Sequence, residues 1–411
     1  MSKKCLKIAF IVGRFPAVSE TFIVNQIGAL KKTGHHVDIF CTREVDKNPV
    51  INPLVSKYEL LKSTTKFTPK GLLKKNKGLL NKFKILLRSL GTKAFFPLLK
   101  SSRYLTSGNM ERVNQQFSKV YYKYYFNVRH FDVVHVHFAD NAVHLLEQLK
   151  RFKGKVIVTF HGYDAHNYSA DYFMGLQNLS HIIYTVNTNY TKQKVIKLGF
   201  PNELIDVLPV GLDTSFFKPV DNHKKDSFNI LFVGRLIHLK APLLSIKIVE
   251  QLIGITDKRI IFNIIGVGDC FLQCKKYIEQ NNLAKYIHLL GSKSQVEVKK
   301  LMNTADVFLF PGIVDDSGRC EGQGLVIQEA QAMQIPVIIS DVGGMKEGVL
   351  DGETGFVIHE GDIDGFVKKI LFLFENPEKI IQMGNRGRAF VKQNYDSKVL
   401  GEQLINIYNN A

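Results

Sequence analysis

The chain has 411 residues, of which 45% are apolar and 22% charged, with a formal charge of +18. That length holds two or three ordinary domains, and the balance excludes a disordered chain. No uninterrupted apolar run approaches the roughly 18 residues of a membrane-crossing helix, and the run at residues 8–12 is too short for a secretory leader. Five cysteines (Cys5, Cys41, Cys270, Cys274 and Cys320) fit neither a disulfide framework nor a C-x2-C zinc site. They read as reduced packing residues, and the compartment as cytoplasm.

In chain order, KIAFIV (7–12) predicts a strand. SETFIVNQIGALKKTG (19–34) predicts a helix that Ser19 caps and Gly34 ends, and HVDIF (36–40) a second strand. Residues 62–123 then hold 15 Lys and Arg against one acid, Glu111, which is +14 of the total +18. Within that segment Leu72, Leu73, Leu79, Leu80, Phe83, Leu86, Leu87 and Leu90 recur at roughly helical spacing, with basic groups between them. The pattern fits a helical insertion with a solvated basic face, or a surface for anionic membrane lipid. Nucleic acid is disfavoured, because no recognisable nucleic-acid module accompanies the charge.

The alternation resumes with a strand at 132–138 (DVVHVHF), a helix at 141–152, a strand at 155–160 (KVIVTF), a loop at 161–168 (HGYDAHNY) and a strand at 181–187. A helix at 188–199 and a short extended piece at 205–211 follow, then a polar linker candidate at 209–226. The rhythm restarts with strands at 228–234, 259–268, 286–291, 306–311 and 336–340, separated by helices at 241–253, 270–282, 295–304 and from Gly324 to about Gln334. Two such series predict two α/β domains with parallel sheets, which bind ligands beyond the carboxyl ends of their strands.

Several polar groups fall at those ends. Arg235 follows a strand, and Lys240 lies just before the next helix. Two cations at a helix start suit a diphosphate, the alternative being solvated loop charge. Gly266-x-Gly268 is half of a dinucleotide fingerprint and a weak nicotinamide signal; it allows close approach of a nucleotide, or a plain tight turn. The loop PGIVDDSGRCEGQG (311–324) leads into a helix whose free N–H groups suit an anion or a sugar hydroxyl. Glu321 stands just before that helix and Glu329 inside it. The first suits sugar hydroxyls; the second, if buried, needs a polar partner such as a ribose diol, although either acid also suits an exposed helix end. Asp315-Asp316 lacks further metal ligands, so no metal is expected. His161 opens a loop directly after a strand, where an imidazole donates to or polarises a reacting hydroxyl. His135 and His137 alternate on one strand face, which favours a packed, hydrogen-bonded role.

Taken together, the pair Glu321-x7-Glu329, GRLIHLK (234–240), GVGD (266–269) and DVGGMKEGVLDGETGFVI (341–358) resemble the retaining glycosyltransferases of family 4. FPAVSETFIVNQIGALKKTGHHVDIF (15–40), HVHF (135–138) and TFHGYD (159–164) resemble the branch that includes enzymes of colanic-acid-type and other exopolysaccharide assembly. The resemblance implies an α/β, GT-B architecture: two Rossmann-like doubly wound domains facing a central cleft. Residues 1–212 would bind the acceptor, with the basic amphipathic insertion at about 60–125; residues 213–395 would bind the nucleotide sugar; a helix at 396–411 would pack back toward the first domain.

The resemblance also implies roles. Arg235 and Lys240 would neutralise the donor diphosphate, Glu321 would hold the sugar near its anomeric carbon, and Glu329 would bind the ribose. Gly324, Leu325 and Val326 would offer backbone N–H groups, and Gly266 and Gly268 would line the donor. His161 would sit near the transferred sugar, and Gly13 in a first loop facing the donor phosphates. Gln323 occupies a position that would help select the sugar. Departures are Ala241-Pro242, where glycine commonly follows the lysine, and Gly312 in place of a commoner serine. The expected activity is transfer of a hexose-type sugar from a UDP- or GDP-sugar to a glycan, lipid-linked at the cytoplasmic membrane face, in surface polysaccharide synthesis. No cofactor and no nucleic acid are implied. A nucleotide-sugar isomerase or epimerase of the same architecture, a nicotinamide-dependent enzyme and a non-catalytic sugar-binding protein are the alternatives.

Overall fold

The computed structural model describes residues 5–17, 20–46, 52–66, 96–97, 99, 131–220, 227–256 and 259–410. Ser19 and nearly all of the basic segment at 62–123, including its amphipathic run, lie outside them. The chain divides into two compact units. The first comprises Met1–Val186, Val195–Asp206 and Leu404–Ala411; the second comprises Asn187–Lys194 and Val207–Gln403.

The first unit is built on a sheet of β1 (Lys7–Phe15), β2 (His36–Val45), β3 (Thr64–Lys66), β4 (Val133–His137), β5 (Lys155–Phe160), β6 (Ile182–Val186) and β7 (Ile205–Val207), in the order β3-β2-β1-β4-β5-β6-β7. Its paired strands from β3 to β6 run parallel. Parallel strands covered on both faces read as near-continuous apolar runs, and all five residues of β4 are buried. The helix Thr21–Lys32 gives way at Thr33, and Gly34 turns the chain with φ +88°. Glycine takes that left-handed geometry without steric cost.

Four expectations change here. β1 runs to Phe15, so Gly13 lies within a strand and not in a first loop. The reason is that β2 continues alongside it to Val45, and the pairing register shifts between Val12 and Arg14. β3, with three residues at the sheet edge, was not expected. The helix read at 141–152 is two pieces, Ala139–His144 and Leu146–Leu149, broken at Leu145 (φ −110°, ψ 9°), which buries its side chain. The loop at 161–168 contains a helical turn, Tyr163–Asn167.

The second unit carries β8 (Phe228–Val233), β9 (Ile260–Ile265), β10 (Ile287–Leu289), β11 (Val307–Phe310), β12 (Val337–Ser340) and β13 (Gly355–Ile358). Their order is β10-β9-β8-β11-β12-β13, with every pairing parallel. Numbered from its own first strand, this is the 3-2-1-4-5-6 order of the doubly wound dinucleotide-binding fold, and the first sheet has the same order with one added strand. Four residues each of β11 and β12 are buried, and Phe232 stacks on Phe310 at 5.3 Å. Each such large apolar side chain contributes about 1.5–3 kcal/mol on burial. The strand order reverses between β1 and β4 in one unit and between β8 and β11 in the other, and such switch points are where open parallel sheets hold ligands.

Candidate active site

In the second unit the switch point lies between the ends of β8 and β11. After β8 the chain passes Gly234 and the exposed Arg235, makes a 3-10 turn over His238–Lys240, and enters the helix Pro242–Ile253. Ala241, the residue before that helix, sits at φ +50°, which explains physically why glycine suits this position. Pro242 occupies the first helical turn, where its missing N–H costs nothing.

Lys240 Nζ lies 3.0 Å from Glu321 Oε2, with side chains only 14% and 20% exposed. The same ammonium stands 5.2 Å from the Phe310 ring centroid, so the end of β11 packs against it. Burial pushes the Glu321 carboxyl up, but the Lys240 charge and hydrogen bond, the Arg235 guanidinium and the Gly324 N–H together hold it below its ordinary value. The carboxylate is therefore ionised beside two cations.

The short loop carrying Glu321 is pinned on several sides. Cys320 Sγ donates to Tyr190 Oη at 3.0 Å, Thr188 Oγ1 to the Gly322 carbonyl at 3.1 Å, and Gly344 N–H to the Glu321 carbonyl at 3.2 Å. Gln323, 3% exposed, accepts from Val210 N–H and donates to the Val210 carbonyl, both at 2.8 Å. Its amide is thus engaged in holding the loop, not free for the sugar selection expected of it. Gly343 and Gly344 let this loop lie close: a Cβ on Gly343 would meet the Glu321 carbonyl oxygen at 2.2 Å, and one on Gly344 the Gly322 oxygen at 2.0 Å. Glu347, in the same motif, accepts from the backbone N–H groups of Asn189 and Tyr190 at 2.8 and 2.7 Å. The glycine pair in DVGGMKE signals a close approach; the partners Thr188, Tyr190 and Val210 had no sequence signal.

The helix Leu325–Ala332 begins directly after Gly324, which takes φ +73°. Leu325 and Val326 form its first turn, whose N–H groups have no intrahelical acceptor. The carboxyl of the half-buried Glu329 has no hydrogen bond or ion pair among the described residues, and burial pushes it up to about 8. Gly266 and Gly268 stand after β9 with φ +144° and +158°. A Cβ on Gly266 would sit 1.8 Å from the Gly234 oxygen, and one on Gly268 2.5 Å from the Leu236 oxygen. The close approach they permit is that of the loop after β8. Asp315 accepts from Ser317 and Arg319 through both carboxylate oxygens, and hydrogen bonds from Ser317 and Arg319 hold its carboxyl well below the usual range. Among the described residues no cluster of three His, Cys, Asp or Glu side chains could hold a metal ion.

In the first unit the ends of β4 and β5 bring three imidazoles into one ladder. The His135 and His137 rings stack at 4.3 Å, and His137 and His161 at 5.2 Å. His135 is engaged at both nitrogens, 2.6 Å from Tyr408 Oη and 2.6 Å from Thr159 Oγ1. His137 Nδ1 lies 3.0 Å from His161 Nε2. Burial pushes His135 and His161 down to about 3 and His137 well below its ordinary value, so all three are neutral. Asp164 fixes the turn. It accepts from Ala139 N–H at 2.8 Å and His161 N–H at 2.9 Å, tying the segment after β4 to that after β5. Burial pushes Asp164 up to about 7 against those backbone donors. At the other side of the sheet's switch point Gly13 faces the Arg43 side chain, which pairs with Asp140 at 2.8 Å.

Comparison with known proteins follows the two units. A profile described as glycosyl transferases group 1 matches residues 213–390, and one described as glycosyltransferase family 4 matches residues 19–216. The chain is 26% identical over 421 residues to the amylovoran biosynthesis glycosyltransferase AmsK of Erwinia amylovora, covering 98% of this chain and 99% of that one. It is also 26% identical over 416 residues to the putative colanic acid biosynthesis glycosyltransferase WcaL of Escherichia coli K12, with 98% and 99% covered. Among solved structures, Anabaena Alr3699/HepE in complex with UDP superposes with a TM-score of 0.72 at 15% identity, covering 99% of this chain and 100% of that one. A point mutant of S. aureus TarM gives a TM-score of 0.71 at 14% identity over 98% of this chain and 100% of that one.

Proposed function

Because the chain belongs to glycosyltransferase family 4, with the GT-B fold and the nucleotide-sugar chemistry of a retaining hexosyltransferase, we propose that it moves a hexose from a UDP- or GDP-sugar to a glycan acceptor. The acceptor in this reading is lipid-linked and the product a surface polysaccharide. The full-length similarity to the AmsK and WcaL enzymes supports that setting, and the UDP and UDP-glucose complexes of the Anabaena protein support a nucleotide-sugar donor.

One observation carries the assignment of residues: the Lys240–Glu321 pair, 3.0 Å apart at the switch point of the second sheet, with Arg235 in its field. In this reading Lys240, Arg235 and the N–H groups of Leu325 and Val326 take the diphosphate, while the Gly324 N–H, expected there too, stays on the Glu321 carboxylate. Glu321 holds the sugar hydroxyls, Glu329 the ribose, and His161 a sugar oxygen. Negative charge grows on the diphosphate as its bond to the anomeric carbon breaks, and fixed cations and helix N–H groups stabilise that charge without reorganising. The acceptor hydroxyl attacks the face the diphosphate leaves, and its proton passes to a departing phosphate oxygen. No enzymatic nucleophile is needed.

The test is thermal stabilisation by a panel of nucleotide sugars, followed by slow donor hydrolysis. Lys240→Ala and Glu321→Ala should each cut turnover by about 100-fold or more while the fold survives. Wild-type turnover in either variant rejects the assignment.

A further inference from the structure

The His161 ring meets one polar side chain among the described residues, His137, at 3.0 Å from Nε2 to Nδ1. Both rings are neutral, so one proton lies between those two nitrogens. Two arrangements exist. If His137 Nδ1 carries the proton, His161 accepts at Nε2 and holds its own proton on Nδ1; the atom left over is a bare lone pair on His137 Nε2. If His161 Nε2 carries it, the atom left over is an N–H on His137 Nε2.

That leftover atom is decisive. His137 Nε2 is buried with no hydrogen-bond partner, on a residue 1% exposed whose ring lies between those of His135 and His161 and 5.1 Å from that of Phe10. A buried N–H with no acceptor is rarer in folded proteins than an acceptor with an unused lone pair. The first arrangement is therefore the stable one. The backbone at His137 is fixed as well: Asn141 Nδ2 donates to its carbonyl at 2.8 Å, and Asn141 Oδ1 accepts from Thr42 Oγ1 at 2.9 Å.

We propose that His137 is a positioning residue that locks His161 as its Nδ1–H tautomer, so that His161 meets the transferred sugar only as a hydrogen-bond donor. This rests on the reading in which His161 contacts that sugar. It restricts the group His161 reaches to an oxygen lone pair, of a sugar hydroxyl or ring oxygen, and removes His161 as a base for the acceptor.

The experiment has a spectroscopic arm and a kinetic arm. In the full-length protein labelled with 15N-histidine, two-bond 1H–15N correlations, assigned with His161→Ala and His137→Asn, should show His161 with a protonated Nδ1 and an unprotonated Nε2. The reverse pattern overturns the proposal. In turnover, His137→Asn places an amide donor where Nδ1 was and should keep kcat within about threefold, whereas His137→Leu should lose about tenfold in kcat with nucleotide Kd unchanged. On a His161→Ala background His137→Leu should cost nothing more; an equal loss in both backgrounds overturns the proposal, because a purely structural role adds independently. Wild-type activity of His161→Ala would instead reject the sugar contact, while the spectra still report the tautomer.

Discussion

Glu329 shows what a single side chain can couple to. Burial pushes its carboxyl up to about 8, with no ion pair to it among the described residues. A ribose diol donates to a carboxylate and favours its charged form, so nucleotide binding should release a proton. The sign follows: affinity rises with pH up to about 8, by at most about tenfold per unit, and levels off above it. Calorimetry of UDP in buffers of different ionisation enthalpy should show proton uptake by buffer near pH 7, and Glu329→Gln should abolish it. A pH-independent affinity in the wild type would remove Glu329 from the ribose site. The position was readable, because two acids separated by seven residues around a glycine-rich helix start form a recognisable pattern. Its charge state was not, since that depends on which neighbours close over it. Gln323 is the opposite case. Its place in the motif suggested a sugar contact, whereas its amide is paired to the Val210 backbone, a partner set by folding and invisible in local sequence.

At the scale of elements, the two glycine classes of the second unit separate backbone necessity from convenience. Gly266 has its Cβ position filled by the Gly234 carbonyl oxygen at 1.8 Å, and its φ of +144° is foreign to alanine. Gly312 has no left-handed φ and would meet the flexible Met345 Cε at 3.1 Å and the Leu239 carbonyl oxygen at 3.3 Å, neighbours that need give only a few tenths of an ångström. Gly266→Ala should therefore cost about 3 kcal/mol or more in urea unfolding, because rigid backbone must move far, while Gly312→Ala should cost about 1 kcal/mol. At the entry to the helix Pro242–Ile253, Ala241 holds φ +50°. Ala241→Gly should relieve that strain and stabilise the protein by about 0.5–1 kcal/mol; a loss of stability would mean the Ala241 methyl packing outweighs it. Helix and strand alternation was legible because strands covered on both faces read as apolar runs: VFLF and VIIS are buried throughout. β3 was not legible, because three residues, TTK, carry no period. Nor was the break at Leu145, where the apolar spacing runs on through the non-helical residue.

For the whole molecule the governing quantity is charge. Of the net +18, +14 falls in residues 62–123, so the rest of the chain is nearly balanced. No helix among the described residues is long and apolar enough to cross a membrane. In the proposed reading the acceptor is lipid-linked and is met at the bilayer surface. Basic side chains near an anionic surface contribute about 1 kcal/mol each, and leucines interleaved with them add apolar burial at the headgroup boundary. The protein should therefore float with vesicles containing phosphatidylserine at low salt, and release as salt rises, since the attraction falls off within a Debye length of about 10 Å at 0.1 M. Replacing Lys74, Lys75, Lys77, Lys82 and Lys84 with glutamine should weaken flotation by orders of magnitude, yet leave transfer to a water-soluble acceptor unchanged, because none of these lysines is assigned to the donor site. Wild-type protein remaining in the soluble fraction would mean that the basic run is a solvated face, and that the acceptor is met by other surfaces of the enzyme.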